Sequence, residues 1–216
     1  MNFGFYISGP SGRLRKFIKQ ADIKVIEKIK IIISDCEIGD EYKSFLNEYE
    51  IKYNIYEYGS FDGADNTEKN LFLSDLIMKD LDKHNVDYCF SFGGHLLSGN
   101  LLEKYNNRLI NFHPSILSMI PGLRAIDKAA EQGLFLVGNT AHFIDSGMDT
   151  GTIIMQSVIP MQAFLAEKDY DTVLDMQIDM LNKLIIILEE ERLQITDGRA
   201  VITGADYFKS FTFPDI

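Results

Sequence analysis

Short β-branched and aromatic runs, each followed by a stretch able to form a helix, set the tightest limit on how this chain folds. Asn2 to Ser8 closes in Gly9-Pro10-Ser11-Gly12, and Leu14 to Ile18 then carries helical spacing. Ile29 to Ser34, Ile51 to Tyr56, Val86 to Phe92 and Arg108 to His113 repeat the strand pattern, the last stopped by Pro114. The clearest helix between them is predicted over Asn66 to His84, where Leu71, Phe72 and Leu76 alternate with Asp75, Lys79 and Asp80. Another is predicted over Pro121 to Gln132, with Gly133 as its stop. Strands alternating with helices imply a parallel sheet whose two faces are both covered.

After Gly133 the rhythm changes. Phe135 to Ile144 and Thr152 to Ile159 are joined by Asp145 to Gly151, too short for a crossover helix, so this pair is expected to run antiparallel at a sheet edge. A long helix, Tyr170 to Arg192, follows with Val173, Leu174, Ile178, Leu181, Leu184, Ile185 and Leu188 on its apolar stripe. The expected fold is α/β: an open, mostly parallel twisted sheet with helices on both faces and an antiparallel edge pair. No repeat or linker interrupts it, and residues 1–216 read as one domain.

A formal net charge of −11 argues against nucleic acid or an anionic membrane as partner. Cys36 and Cys89 lie far apart and form no CxxC pair, which fits a reducing compartment and gives no zinc signature. The N-terminus has its apolar stretch before its basic residues, the wrong order for a secretory signal, and the longest apolar run is Leu184 to Leu188. A soluble cytoplasmic protein is expected. No metal is expected, because the histidines and carboxylates lack ligand spacing.

Three segments carry chemistry. In SGPSGR, the strand-to-helix loop offers backbone N–H groups to a phosphate, with Ser11 and Arg13 adding a hydroxyl and a charge; an ordinary turn is the plainer reading. In NFHPS, Asn111 and His113 lie two apart and so share a strand face, at the C-terminal end where parallel sheets place ligands. In HFIDSGMDTG, Asp149 supplies a carboxylate, although Asp145 and Asp149 are also good loop caps. An amide, an imidazole and a carboxylate without a Ser or Cys nucleophile suit a reaction whose substrate is itself the nucleophile and whose oxyanion must be held, such as formyl transfer to an amine.

The stretch from Arg108 to Pro160 resembles the folate-dependent formyltransferases, most closely those acting on 5'-phosphoribosylglycinamide. Asn-x-His-Pro-Ser, the Pro-Gly after it, Thr-x-His and Asp-x-Gly-x-Ile-Ile-x-Gln occur in order, and ISGPSGRL resembles the family's phosphate loop. The resemblance implies 10-formyltetrahydrofolate as co-substrate and a formyltransferase-type fold, with 1–105 as the half that binds substrate phosphate and 106–216 as the catalytic and folate-binding half. It implies Asn111, His113 and Asp149 as catalytic residues, with Asp149 keeping His113 charged, and His142 in a supporting role. Gly94, His95, Leu96 and Leu97, together with Ile144, Asp145, Ser146, Gly147 and Met148, fall on the folate pocket. Ser11, Gly12 and Arg13 fall on the substrate phosphate loop. The implied partners are folate and a small phosphorylated amine, with no nucleic acid or membrane, in a monomer or homodimer.

Six residues at four places depart from the family pattern. Met180 and Leu181 stand where a Glu-His pair normally meets the ribose hydroxyls, Arg13 replaces an asparagine, His95-Leu96 replaces Met-Arg, and Ser118 replaces a proline. The implied acceptor is 5'-phosphoribosylglycinamide in purine biosynthesis. The lost Glu-His pair favours a nucleotide-linked amino sugar as the alternative, and a folate- or nucleotide-binding module without catalysis ranks below both.

Overall fold

A computed structural model describes residues 1–63, 65–122, 124–167 and 170–213. In chain order the elements are β1 (Phe3–Ile7), α1 (Gly12–Gln20), α2 (Ile23–Ile26), β2 (Ile29–Ser34), α3 (Gly39–Glu48), β3 (Tyr53–Ile55), α4 (Asn66–Lys83), β4 (Tyr88–Phe92), α5 (Asn100–Lys104), β5 (Leu109–His113), α6 (Ala125–Glu131), β6 (Leu136–Phe143), β7 (Ile153–Pro160), α7 (Met161–Glu167), α8 (Tyr170–Glu189), β8 (Leu193–Thr196) and β9 (Arg199–Ile202). Seven strands form one sheet in the order β3-β2-β1-β4-β5-β6-β7, and β8 and β9 form a separate pair. The pairings of β1 with β2 and β4, β2 with β3, and β4 with β5 are parallel, whereas β6 and β7 run antiparallel. This is the mostly parallel sheet with an antiparallel edge pair that the strand rhythm predicts.

The chain divides into two compact units, Met1–Asn111 with Phe143–Met148, and Phe112–His142 with Asp149–Ile216. In the first unit the period of two along β1 sends side chains to opposite faces. Phe5 meets Phe17 of α1 and Phe90 of β4, at ring separations of 6.1 and 5.4 Å. Tyr6, Ile31 and Ile33 join Leu73, Ile77 and Leu81 of α4 in a core on the other face. Helices therefore cover both faces here. The buried stripe of α4 differs from the one its charge pattern suggests, since Leu71 and Phe72 are 44% and 48% exposed. Asp80 is buried, and its carboxylate accepts from Asn54 Nδ2 and the Tyr56 hydroxyl, each at 2.8 Å.

In the second unit Ile120, Ala125, Ile126, Ala129, Val137, Phe164 and Val173 form one core cluster. Helix α8 buries Val173, Ile178, Leu181, Leu184, Ile185 and Leu188, as its spacing requires, and also Met180 and Gln177. Helix α6 starts at Ala125, not Pro121. Gly122 and Arg124 hold φ of +80° and +56°, left-handed values that an α-helix does not accept. Among the described residues no helix is long and apolar enough to cross a membrane.

Candidate active site

Ser11 caps α1 in the loop after β1: its Oγ accepts from Leu14 N–H at 3.2 Å, and its carbonyl accepts from the Tyr42 hydroxyl at 3.2 Å. A cap that accepts through its oxygen keeps its own hydroxyl proton free to donate. No atom lies within 4 Å of where a Cβ on Gly12 would sit, so backbone is accessible at that position. The Arg13 guanidinium lies 4.7 Å over the Phe92 ring, and burial lowers its pKa from the usual arginine value.

The nine residues that fall on the family's folate pocket divide by environment. Leu97 is 5% exposed and belongs to the first unit's core cluster. Leu96 and Met148 are 46% and 53% exposed and remain available as apolar surface. Asp145 turns back on its own loop, where its Oδ1 accepts from Gly147 N–H at 3.0 Å, and Ile144 N–H donates to Leu109 O at 2.9 Å. Ser146 is exposed. Gly94 N–H donates to Ser8 Oγ at 2.6 Å, and the His95 ring stacks on Tyr58 with centroids 3.6 Å apart. These contacts turn His95 toward the loop that begins at Ser8.

Asn111 is half-buried near the end of β5, in register with Ser91 of β4. Two residues on, His113 is 7% exposed, with Nδ1 at 3.3 Å from Asp149 Oδ2 and Nε2 at 3.2 Å from the Ile120 carbonyl oxygen. Asp149 adopts a left-handed φ of +56°, available to aspartate at modest cost. Its Oδ2 also accepts from Gly122 N–H at 3.0 Å, and His142 Nε2 lies 3.6 Å from Oδ1. The left-handed backbone at Gly122, which delays α6, thus goes with an N–H aimed at this carboxylate.

Sequence reasoning missed what holds the segment after His113. Thr140 Oγ1 donates to Ser115 O at 2.7 Å and accepts from Leu117 N–H at 3.0 Å, while Gln156 Nε2 donates to Leu117 O at 2.6 Å. Ser115 Oγ donates to the Ile120 carbonyl. Thr140 and Gln156 are the threonine of Thr-x-His and the glutamine of Ile-Ile-x-Gln, so those motif positions carried the signal. Behind them Gln177 Nε2 donates to Asn139 Oδ1 at 2.7 Å, and Asn139 Nδ2 donates to Val173 O at 2.5 Å.

The electrostatics correct one expectation. Burial lowers the His113 pKa below the ordinary histidine value, and His142 lowers it further, outweighing the upward pull of Asp149 and of the Ile120 carbonyl. The resting ring is therefore neutral near pH 7, although both its nitrogens face oxygen acceptors. The carboxyl of Asp149 is held below its usual range, by the His142 ring first and by Gly122 N–H as well, against its partial burial. At 3.6 Å the His142 contact is longer than an ordinary hydrogen bond and acts through charge and dipole. The arrangement is an ionised carboxylate beside an imidazole that can donate to both flanking oxygens once it is protonated. Among the described residues no cluster of three or more His, Cys, Asp or Glu side chains could hold a metal.

Comparison with known proteins gives the family. The formyl transferase family matches residues 2–184. Phosphoribosylglycinamide formyltransferase of Bacillus subtilis is 40% identical over 84 residues, 38% of this chain and 43% of that protein. Formyltetrahydrofolate deformylase of Escherichia coli K12 is 26% identical over 165 residues, 76% of this chain and 56% of its own. This chain thus spans about half or less of the length of each of these relatives. Glycinamide ribonucleotide transformylase 1 of Symbiobacterium toebii superposes with a TM-score of 0.78 at 26% identity, covering 94% of this chain and 93% of its own. The fold, the ordered motifs and the match across most of the sequence agree: this chain belongs to the formyl transferase family.

Proposed function

We propose that this protein transfers the formyl group of 10-formyltetrahydrofolate to the primary amine of a phosphorylated small molecule, with 5'-phosphoribosylglycinamide as acceptor, in the cytoplasm and as a monomer or homodimer. The observation that carries the reading is the contact between a buried imidazole and a carboxylate, His113 Nδ1 to Asp149 Oδ2 at 3.3 Å, at the last residue of the strand that bears Asn111.

Chemically, the amine nitrogen attacks the formyl carbon, the C–N10 bond of the folate breaks, and the amine proton ends on the departing N10. Asn111 holds the oxyanion by its amide N–H. Asp149, acting through water, and the neutral His113 ring take up the amine proton. Once protonated, the ring donates Nδ1–H to Asp149 and Nε2–H to the Ile120 carbonyl, so burial no longer leaves either nitrogen unsatisfied. Ser11, Gly12 and Arg13 receive the acceptor phosphate. Leu96, Met148 and the backbone of Gly94 and of residues 144–147 receive the pterin.

One observation favours a second acceptor class. Met180 is 2% exposed and apolar where the resemblance places a ribose-binding carboxylate, which supports a nucleotide-linked amino sugar. An acceptor screen with 10-formyltetrahydrofolate tests both readings. It compares 5'-phosphoribosylglycinamide, amino sugar nucleotides and no acceptor, the last because of the deformylase relative. Formyl transfer to 5'-phosphoribosylglycinamide is the expected result; formate release at the same rate with no acceptor would defeat the proposal.

A further inference from the structure

The C-terminal ends of β1, β2 and β4 hold a second polar cluster that the proposed reaction does not use. Asp35, directly after β2, is 2% exposed. Its Oδ2 accepts from the Tyr6 hydroxyl and from Ser8 Oγ, each at 2.6 Å, and lies 3.8 Å from His95 Nε2. Its backbone carbonyl accepts from Tyr58 N–H at 2.8 Å, and Tyr58 stacks on His95 with ring planes 16° apart. Tyr6 reaches this point because residue 93 is glycine: a Cβ there would come within 2.0 Å of the Tyr6 ring. Four segments thus converge to hold one imidazole between a buried carboxylate and an aromatic face, with 35% of the His95 side chain still exposed.

A carboxylate facing Nε2 favours the tautomer that carries its proton there, which leaves Nδ1 as an acceptor. An acceptor nitrogen calls for a donor on the ligand, and a sugar hydroxyl is such a donor. The place is suited to one: β1 lies between β2 and β4, so the chain's crossover direction reverses here, and open α/β sheets bind ligands in the crevice at such a point. Gly94 N–H bonded to Ser8 Oγ ties the loop bearing His95 to the loop that runs on to Ser11 and Arg13.

We propose that His95, positioned by Asp35 and Tyr58, binds a hydroxyl of the sugar of the phosphorylated formyl acceptor, and does not belong to the folate pocket. This assignment rests on the formyltransferase reading and deepens it, because it supplies a hydrogen-bond acceptor for the sugar of the acceptor.

The test measures binding of ribose 5-phosphate, inorganic phosphate and 10-formyltetrahydrofolate to the intact protein by calorimetry or competition. His95→Ala is expected to weaken ribose 5-phosphate about 3- to 10-fold, the range of one neutral hydrogen bond, and to leave phosphate and folate within about twofold. His95→Gln, whose amide oxygen also accepts, should recover most of that loss. In turnover with the phosphorylated acceptor, His95→Ala should raise its KM and leave kcat near the wild-type value. Asp35→Asn should reproduce the effect of His95→Ala and add little to it in the double variant. If Asp35→Asn does not fold, Tyr58→Leu serves as the positioning test. Ribose 5-phosphate affinity unchanged in His95→Ala, or folate affinity lost in its place, would overturn the inference and leave the proposed reaction standing. Wild-type protein that binds folate but no sugar phosphate would overturn the inference together with the acceptor reading, and formyl chemistry would survive.

Discussion

Two aspartates in this chain each sit beside a histidine, and their surroundings differ in a way that separates chemistry from recognition. Asp149 is met by two imidazoles and a backbone N–H, and the closer ring, His113, is itself buried with its second nitrogen on a carbonyl. Asp35 is met by two hydroxyls, and its histidine is stacked and partly exposed. Burial that penalises a charge by an amount a neighbouring acceptor offsets makes a group that changes protonation readily. A carboxylate satisfied by neutral hydroxyls fixes geometry instead. The contrast is the ground on which we propose proton transfer for the pair at 113 and 149 and ligand orientation for the pair at 35 and 95.

The comparison breaks most visibly at His113. His113→Ala should lower kcat/KM by about a thousandfold or more, the scale of losing oxyanion stabilisation, as read by steady-state kinetics. A loss below about tenfold would leave His113 no special role. Leu97→Ala sharpens the boundary of the folate site: it should cost about 3 kcal/mol in denaturant unfolding, as a buried leucine does, with folate affinity unchanged. Asp149→Asn should cost about a hundredfold in turnover and preserve folate binding.

The pH profile is a further test of the same contrast. Because the folded His113 value lies below the ordinary 6.5, kcat/KM should be level around pH 7 and fall as acid protonates the resting ring, with an apparent pKa below 6.5. Stability should move in the same direction. Between the lowered His113 value and 6.5 the unfolded chain binds more protons, and Asp149, also lowered, loses its contribution only at still more acid pH. The smallest effect belongs to a surface ion pair: removing Arg15–Glu41 with Glu41→Ala should change stability by less than about 1 kcal/mol.

The sheet was legible because β-branched runs and turn residues are local signals, and the antiparallel edge followed from a connection too short for a helix. The family was legible because motif spacing carries over to strand ends and loops. Tertiary detail was less accessible. Leu71, Phe72 and Leu73 are consecutive, so periodicity alone did not say which of them faces the core, and only Leu73 is buried. The predicted start of α6 failed because Gly122 and Arg124 take left-handed backbone. The β8–β9 hairpin is not among the elements expected from the sequence, although Asp197-Gly198, both at positive φ between Thr196 and Arg199, is a standard two-residue turn. The family resemblance groups His95 with its sequence neighbours, and nothing in the sequence ties it to Tyr58 or Asp35.

The central claim is tested most directly by the fate of a labelled formyl carbon. With 10-[13C]formyltetrahydrofolate and 5'-phosphoribosylglycinamide, wild-type protein should place the label in an N-formyl amide, and Asp149→Asn should slow that step about a hundredfold with folate still bound. Label released as formate irrespective of acceptor, or transfer unaffected by Asp149→Asn, would contradict the account.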